Sequence, residues 1–370
     1  MMKVFKLNLI ALVIGLVAPV TFAQAEDNKS NDELRADLLR IQQRLDELEK
    51  NKTTEKKSDT KFKFYGSIRP IIGYNHSESL NEWGVEDANS RLGFTVSNKI
   101  SDTLTVFGRG EFKIKLDSGG DFGDVRHAYA GVEGMFGRIA IGQQSVTHDL
   151  IAEPINIFNR AEGPLAYACN SPLRLGNLVT YRKSFGNLLL STDVQFDEDI
   201  EDQVTHNKGL TDDFFNAGTQ YKSDLFTIAV AYYNRDLYAL NSAKAKEYST
   251  TENTYGVSVF KQFDKLYLAT AYQYIDVSNQ DDNRYTFDVV ATYPILKNHK
   301  LMLGYGKFDD SLNSSETLSY DIFNATLEWQ KSKTFKTFIE YQRKDYYELS
   351  SMEDDDQIRV GIRYDFSHSF

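Results

Sequence analysis

From residue 62 to the C-terminus, apolar and polar residues alternate with a period of two. In LFTIAVAYYNR, Phe226, Ile228, Val230 and Tyr232 share one face, while Thr227, Ala229, Ala231, Tyr233 and Arg235 share the other. In FNATLEWQ, Phe323, Ala325, Leu327 and Trp329 oppose Asn324, Thr326, Glu328 and Gln330. The last segment is the clearest. Ile358, Val360, Ile362, Tyr364, Phe366 and Phe370 line one face, and Arg359, Arg363, Asp365, Ser367 and Ser369 the other. Successive side chains of a strand point to opposite faces, so this pattern predicts strands with one apolar and one wet side.

About sixteen such segments follow one another, at 62–75, 90–98, 104–115, 124–136, 137–146, 177–185, 187–197, 214–223, 225–236, 253–263, 265–277, 285–294, 299–309, 318–331, 334–347 and 356–370. Their connections alternate in length. HSESLNEWGVEDAN is followed by NKISD, the stretch before Asn177 by SFG, and the acidic run at 197–213 by KSD. A soluble sandwich has no reason to sort its loops this way, whereas a transmembrane barrel has short turns on one side and long loops on the other. No later apolar run approaches the ~20 residues of a membrane helix, and mean hydropathy is negative. Spanning strands remain compatible with that, because only alternate residues meet lipid. The expectation is an all-β fold: a 16-stranded antiparallel transmembrane β-barrel over 62–370, with both chain ends on one side. Tyrosines near strand ends, such as Tyr74, Tyr232, Tyr272, Tyr274, Tyr341, Tyr346 and Tyr347, suit the aromatic girdles of such a barrel.

The N-terminus breaks the pattern. Lys3 and Lys6 precede the apolar run LNLIALVIGLVAPV, and AQA at 23–25 offers a small-x-small cleavage site, which together predict a signal peptide over 1–25. Next comes NDELRADLLRIQQRLDELEK, in which Leu34, Leu38, Ile41, Leu45 and Leu48 follow at steps of four and three. With Leu38 and Leu45 at a, and Leu34, Ile41 and Leu48 at d, this is a short coiled-coil helix within 26–50. A polar linker, 51–61, separates it from the barrel. About two heptads are too few to hold chains together alone, but an oligomeric barrel would raise their effective concentration.

Net charge is −11, and it becomes −13 once Lys3 and Lys6 leave with a leader that holds no Asp or Glu. That balance argues against nucleic acid as a partner. The single cysteine, Cys169, excludes an intrachain disulfide. His76, His127, His148, His206, His299 and His368 show no metal-ligand spacing, and no G-x-S-x-G, H-E-x-x-H or phosphate-loop motif occurs. No metal, cofactor or catalytic group is therefore expected. The acidic clusters at 197–202 and 353–356 read as solvated loops, or as holders of the divalent ions that bridge lipopolysaccharide.

The segments SRLGFTVSNKISDTLTVFGRGEF, DVRHAYAGVEGMFGRIAIGQQS and RLGNLVTYRKSFG, with the terminal phenylalanine, resemble the general porins of Gram-negative outer membranes. The resemblance runs from about residue 62 to 370. It implies a homotrimer with water-filled channels for small hydrophilic solutes, set in outer-membrane lipid and lipopolysaccharide, with the N-terminal helix in the periplasm. It also implies that Phe370 is the assembly signal, and that Arg91, Arg126 and Arg174 form a basic ladder on the channel wall. Parity independently points Arg91 and Arg126 inward, and Arg109, Glu111, Lys113 and Lys115 likewise. Where the family often has a lysine after YG, this chain has Ser67, and Arg69 shares its face.

The segment 147–176 holds three of the six prolines, Pro154, Pro164 and Pro172, and many apolar residues. A loop this long is usually functional, and in general porins the corresponding one narrows the pore. Its acidic candidates are Asp149, Glu153 and Glu162, each of which also reads as a solvated loop charge. The arginines favour anions at the constriction, while the acidic loops draw cations to the mouths, and the overall expectation leans weakly to cations. Two further readings are a substrate-selective porin for sugars or oligosaccharides, and a tether to the cell wall through the N-terminal helix.

Overall fold

The computed structural model describes residues 39–40, 42–44, 59–77, 79–117, 122–165, 173–195, 210–240, 246–278, 283–310, 319–347 and 353–370. The chain divides into two units, Met1–Ser58 and Asp59–Phe370. In the first, residues 39–40 and 42–44 are helical. The seam Leu34, Leu38, Ile41, Leu45 and Leu48 and the leader 1–25 lie outside the described residues. No helix among the described residues is long and apolar enough to cross a membrane.

The second unit is one closed antiparallel sheet. Three of its strands are interrupted, the first two and the sixth: β1 runs Thr60–Ile68 and resumes as Pro70–His76, and β2 runs Asn81–Asp87 and resumes as Arg91–Ser101. The next are β3 (Leu104–Ile114), β4 (Phe122–Gly134) and β5 (Gly137–Ser145), then β6 (Arg174–Leu175 and Leu178–Phe185) and β7 (Leu188–Gln195). They continue as β8 (Leu210–Lys222), β9 (Thr227–Leu240), β10 (Lys246–Phe263), β11 (Leu266–Val277) and β12 (Asn283–Leu296). The last are β13 (His299–Asp310), β14 (Tyr320–Gln330), β15 (Phe335–Tyr346) and β16 (Asp355–Ser369). Every strand pairs with its sequence neighbour, and β16 closes on β1 from Lys63↔Ser369 to Ile68↔Tyr364 and on to His76↔Asp356 without a slip. Closure leaves no unpaired edge, the condition for a sheet to sit in hydrocarbon.

The outer surface carries apolar residues on strand after strand, among them Ile141, Val230, Leu268, Leu303, Leu327, Ile339 and Val360, all exposed. A continuous apolar band of this kind belongs in lipid. The opposite parity is polar and buried: Glu111, Gln273, Asp288, Glu328, Glu340 and Arg359. Period two thus sorted the two faces correctly.

Two details depart from the sequence pattern. The stretch 76–89, expected as one long loop, contains the strand segment Asn81–Asp87, which pairs with Pro70–His76 across a turn closed by Ser77 N donating to Leu80 O at 2.8 Å. Its acidic residues hid it, although Trp83 and Val85 alternate outward. Tyr346, expected in a girdle, turns inward onto Phe308 and Tyr320. Adjacent tyrosines at the end of a strand take opposite faces, and Tyr347 has the outer one.

Candidate functional site

The inner wall of β16 and β1–β6 is built from arginines. A bulge in β2 sets two of them. Between its two segments Asn89 takes a left-handed φ of 65°, Ala88 N donates to Arg69 O at 2.9 Å, and Arg69 N donates to Ser90 Oγ at 2.8 Å. Bulges re-aim the side chains beside them, and here Arg69 and Arg91 both reach the inner face. Arg69 Nε donates to Ser67 Oγ at 2.6 Å, and its Nη2 lies 4.0 Å from Asp365.

Glu111, on β3, gathers the rest. It lies 2.6 Å from Arg109 Nη2, 2.8 Å from Arg126 Nε and 4.0 Å from Arg91 Nε. Tyr65 Oη also donates to it at 2.7 Å. At 2 % exposure, this carboxylate is a clamp under three guanidiniums rather than a free wall charge. Its ionic hydrogen bonds are of the strong, charge-assisted kind, and they hold long, flexible side chains in one array. Arg174, at the start of β6, has Arg126, Asp149 and Glu111 as electrostatic neighbours. Arg359 on β16, placed on the polar face by parity but not among the expected wall arginines, joins them, buried with its Nε 3.7 Å from Glu86 Oε2.

The segment after β5 enters the barrel and follows the opposite wall. It begins with a short helix, Asp149–Ala152, and a 3-10 turn, Glu153–Ile155. Wall carboxylates hold it by its backbone. Asp193 on β7 accepts from Thr147 N. Asp288 on β12 accepts from Leu165 N at 3.1 Å. Glu340 on β15 accepts from the backbone N–H groups of Asn159, Arg160 and Ala161 at 3.1, 3.0 and 2.5 Å. Buried His148 pairs its Nε2 with Gln273 Oε1 at 2.6 Å. Between these anchors Ile151, Ala152, Ile155 and Leu165 pack on small wall residues, Ala229, Ala231, Ala269 and Ala271. Close approach extends to Gly306, where an added Cβ would stand 2.2 Å from Pro164 Cδ.

The loop thus covers β7 to β15 and leaves the arginine wall bare. Glu86 ties the two together, with Oε2 3.8 Å from Arg160 Nε of the loop and 3.7 Å from Arg359 Nε of the wall. Of the three loop acids, Glu153 is exposed, and Asp149 and Glu162 are half-buried. Burial pushes all three above the ordinary carboxylate range, while Arg160, Arg174, Arg359 and Arg126 pull Glu162 back. Glu162 therefore feels the wall arginines across the opening, as a transverse field requires. Residues 166–172 of the loop, with Cys169 and Pro172, lie outside the described residues. Phe370 is outward and 75 % exposed, its ring 5.8 Å from that of Phe62.

A closed sixteen-stranded barrel with a loop folded against part of its inner wall defines a pore-type outer-membrane barrel. The Gram-negative porin family model matches residues 10–368, and the chain belongs to that family. A monosaccharide porin from a Halomonas species is 28 % identical over 244 residues, covering 60 % of this chain. The chain spans 65 % of the length of that curated relative, and the same holds for the major outer membrane protein of Halomonas elongata. Among solved structures, an anion-selective porin from Comamonas acidovorans superposes with a TM-score of 0.71 at 14 % identity, over 83 % of this chain and all of that one. A loop L8 deletion mutant of OmpT from Vibrio cholerae gives 0.67 at 16 % identity, with the same coverage. At these identities the likeness is one of fold.

Proposed function

We propose that the protein forms a water-filled channel for passive diffusion of ions and small hydrophilic solutes across the outer membrane. The observation that carries this reading is the division of the inner wall, with a pinned loop on one side and a bare row of arginines on the other. Opposed charges across a narrow opening orient dipolar water and solutes, and wall charges bias which ions enter. Net charge draws cations to the mouths. At the eyelet the balance differs, because on the wall Arg69, Arg91, Arg109, Arg126, Arg174 and Arg359 are only partly offset by Glu111, Glu86 and Asp365. Charges at the narrowest point lie within a Debye length of ~8 Å of any permeant ion, so we place the selectivity there and shift it from the weak cation lean towards anions.

The family and fold also support a homotrimer, and a Vibrio cholerae OmpT structure of the same fold is described as a trimer form. In that assembly Arg69, Arg91, Arg126 and Arg174, with Glu153 and Glu162, line each pore, and Glu111 and Asp149 position them. The seam of Leu34, Leu38, Ile41, Leu45 and Leu48 becomes a periplasmic clasp for the three chains or a spacer towards the cell wall. Conductance of the purified full chain in planar bilayers tests the reading. Stepwise openings in groups of three, with a shallow dependence on solute size, are expected. A silent bilayer overturns the channel, and single steps overturn the trimer.

A further inference from the structure

On the short-turn side of the loop, a polar cavity of about 170 Å³ opens between β3–β6 and the short helix. Arg109, Arg138, Arg182, His127, Tyr129 and Asp149 are among its lining residues. None of the expectations about the eyelet involved Arg138 or Arg182. These two are register partners across β5 and β6, and like charges directly opposite one another on neighbouring strands repel. Arg138 stacks its guanidinium 4.3 Å from the centre of the Phe107 ring and donates through Nη2 to Tyr129 Oη at 3.3 Å. Arg182 donates through Nη2 to the Ser145 carbonyl at 3.1 Å. Neither has a carboxylate within the 4.0 Å of an ion pair among the described residues.

The hydrogen bonding is incomplete in the same place. Among the described residues Arg138 Nε, Arg182 Nε and His127 Nδ1 are buried with no hydrogen-bond partner, and an unmet buried polar group costs roughly 1–3 kcal/mol. Arg109 is already engaged by Glu111. Among the described residues Asp149 is the one carboxylate on the lining; burial raises it, while Arg174 and Arg182 pull it back, so it offsets Arg182 only in part. Two opposed guanidiniums with idle Nε donors face one polar cavity. Although Glu133 lies opposite Arg138, and Asp149, Glu153 and Asp193 act on Arg182 at longer range, no carboxylate among the described residues is ion-paired with either.

We propose that this cavity is an anion subsite behind the eyelet, occupied by one small oxoanion of the phosphate or sulfate class. Its volume leaves room for a tetrahedral oxoanion with part of its hydration shell. It falls below the ~300 Å³ at which pockets for larger ligands begin. Arg138 and Arg182 grip the anion from two strands, in the forked geometry that guanidinium offers to oxoanions. The inference builds on the channel reading, because the pore is the route to the cavity. It makes the arginine wall a two-stage path, with attraction at the eyelet and a resting place beyond it.

The test titrates the detergent-purified full chain with inorganic phosphate by calorimetry and records chloride conductance with and without phosphate. Saturable binding to the wild type is expected, with a matching fall in chloride conductance. Arg182→Gln and Arg138→Gln each weaken binding about tenfold, which is 1.4 kcal/mol, and Arg182→Lys keeps part of it. Arg284→Gln, at an inner arginine paired with Asp310 on β12–β13, leaves it unchanged within about twofold. Heat-modified mobility shows that each variant folds. Arg182→Gln is decisive, since it removes one hydrogen bond to a carbonyl, whereas Arg138→Gln also removes a stacked ring contact. Absence of saturable binding by the wild type overturns the subsite, and so does equal weakening by Arg284→Gln. A wild type that binds phosphate but passes no current fails the channel reading and leaves the subsite standing.

Discussion

The two arcs of the barrel wall obey one rule and build different surfaces. On β7–β15 the inward alanines Ala229, Ala231, Ala269 and Ala271 and the carboxylates Asp193, Asp288 and Glu340 are buried against the loop. On β16 and β1–β6 the inward positions include buried and half-buried arginines that the loop does not cover, with Glu111 set beneath three of them. An inward side chain is therefore not by itself a pore side chain. The same residue type also changes role between the arcs. Glu340 gathers backbone N–H groups and holds a peptide, while Glu111 gathers guanidiniums and holds an electrostatic array.

Removing the acid from each arc separates these roles. Glu340→Ala deprives three backbone N–H groups of their acceptor, each worth roughly 1–3 kcal/mol if it stayed dry, so the loop tip leaves the wall to be hydrated. Conductance and open-channel noise should both rise, and a trace indistinguishable from wild type would show that the loop is held elsewhere. Glu111→Gln acts on the other arc, where each ionic hydrogen bond lost is worth about 1.5–3 kcal/mol. There the thermal transition should fall while the mean conductance holds, and an unchanged transition would count against the clamp.

Smaller effects sharpen the electrostatics of the bare arc. A unit charge ~10 Å from a permeant ion in water is worth about 0.4 kcal/mol, or about twofold in relative permeability. Arg126→Ser should move the reversal potential in a salt gradient towards cations by that factor, and an unmoved potential would remove Arg126 from the eyelet. The loop acids give the smallest signal. Burial holds Asp149, Glu153 and Glu162 above the ordinary carboxylate range, so on acidification they take up protons before surface carboxylates do. The loop edge then loses negative charge while the arginines keep theirs. Anion preference should rise as the pH is lowered, beginning before surface carboxylates take up protons, and Glu162→Gln should flatten the slope.

Much of this was legible along the chain, because a barrel strand writes its two faces in alternate letters. Arg91, Arg109 and Arg126 could be aimed inward from their apolar neighbours alone, and the closing strand at 356–370 was plain. What parity cannot supply is the register in which neighbouring strands meet. That Glu111 serves three arginines depends on β2, β3 and β4 meeting in one register. The opposition of Arg138 and Arg182 depends on β5 and β6 pairing across the intervening loop. Asp288 and Glu340 could be read as inward acids, but only the path of the loop makes them anchors. The β2 bulge was hidden because its signal is the backbone twist at Asn89 rather than a composition.

The seam between the first and last strands has a kinetic meaning. Phe62 and Phe370 exchange backbone hydrogen bonds, with Phe370 N donating to Phe62 O at 2.8 Å, at one end of a seam along which β16 pairs with β1. Until β16 is in place, two rows of amide groups have no partners, and hydrocarbon tolerates neither. Membrane entry and ring closure must then be one event, and the nascent chain has to be kept from the bilayer until the whole of it is present.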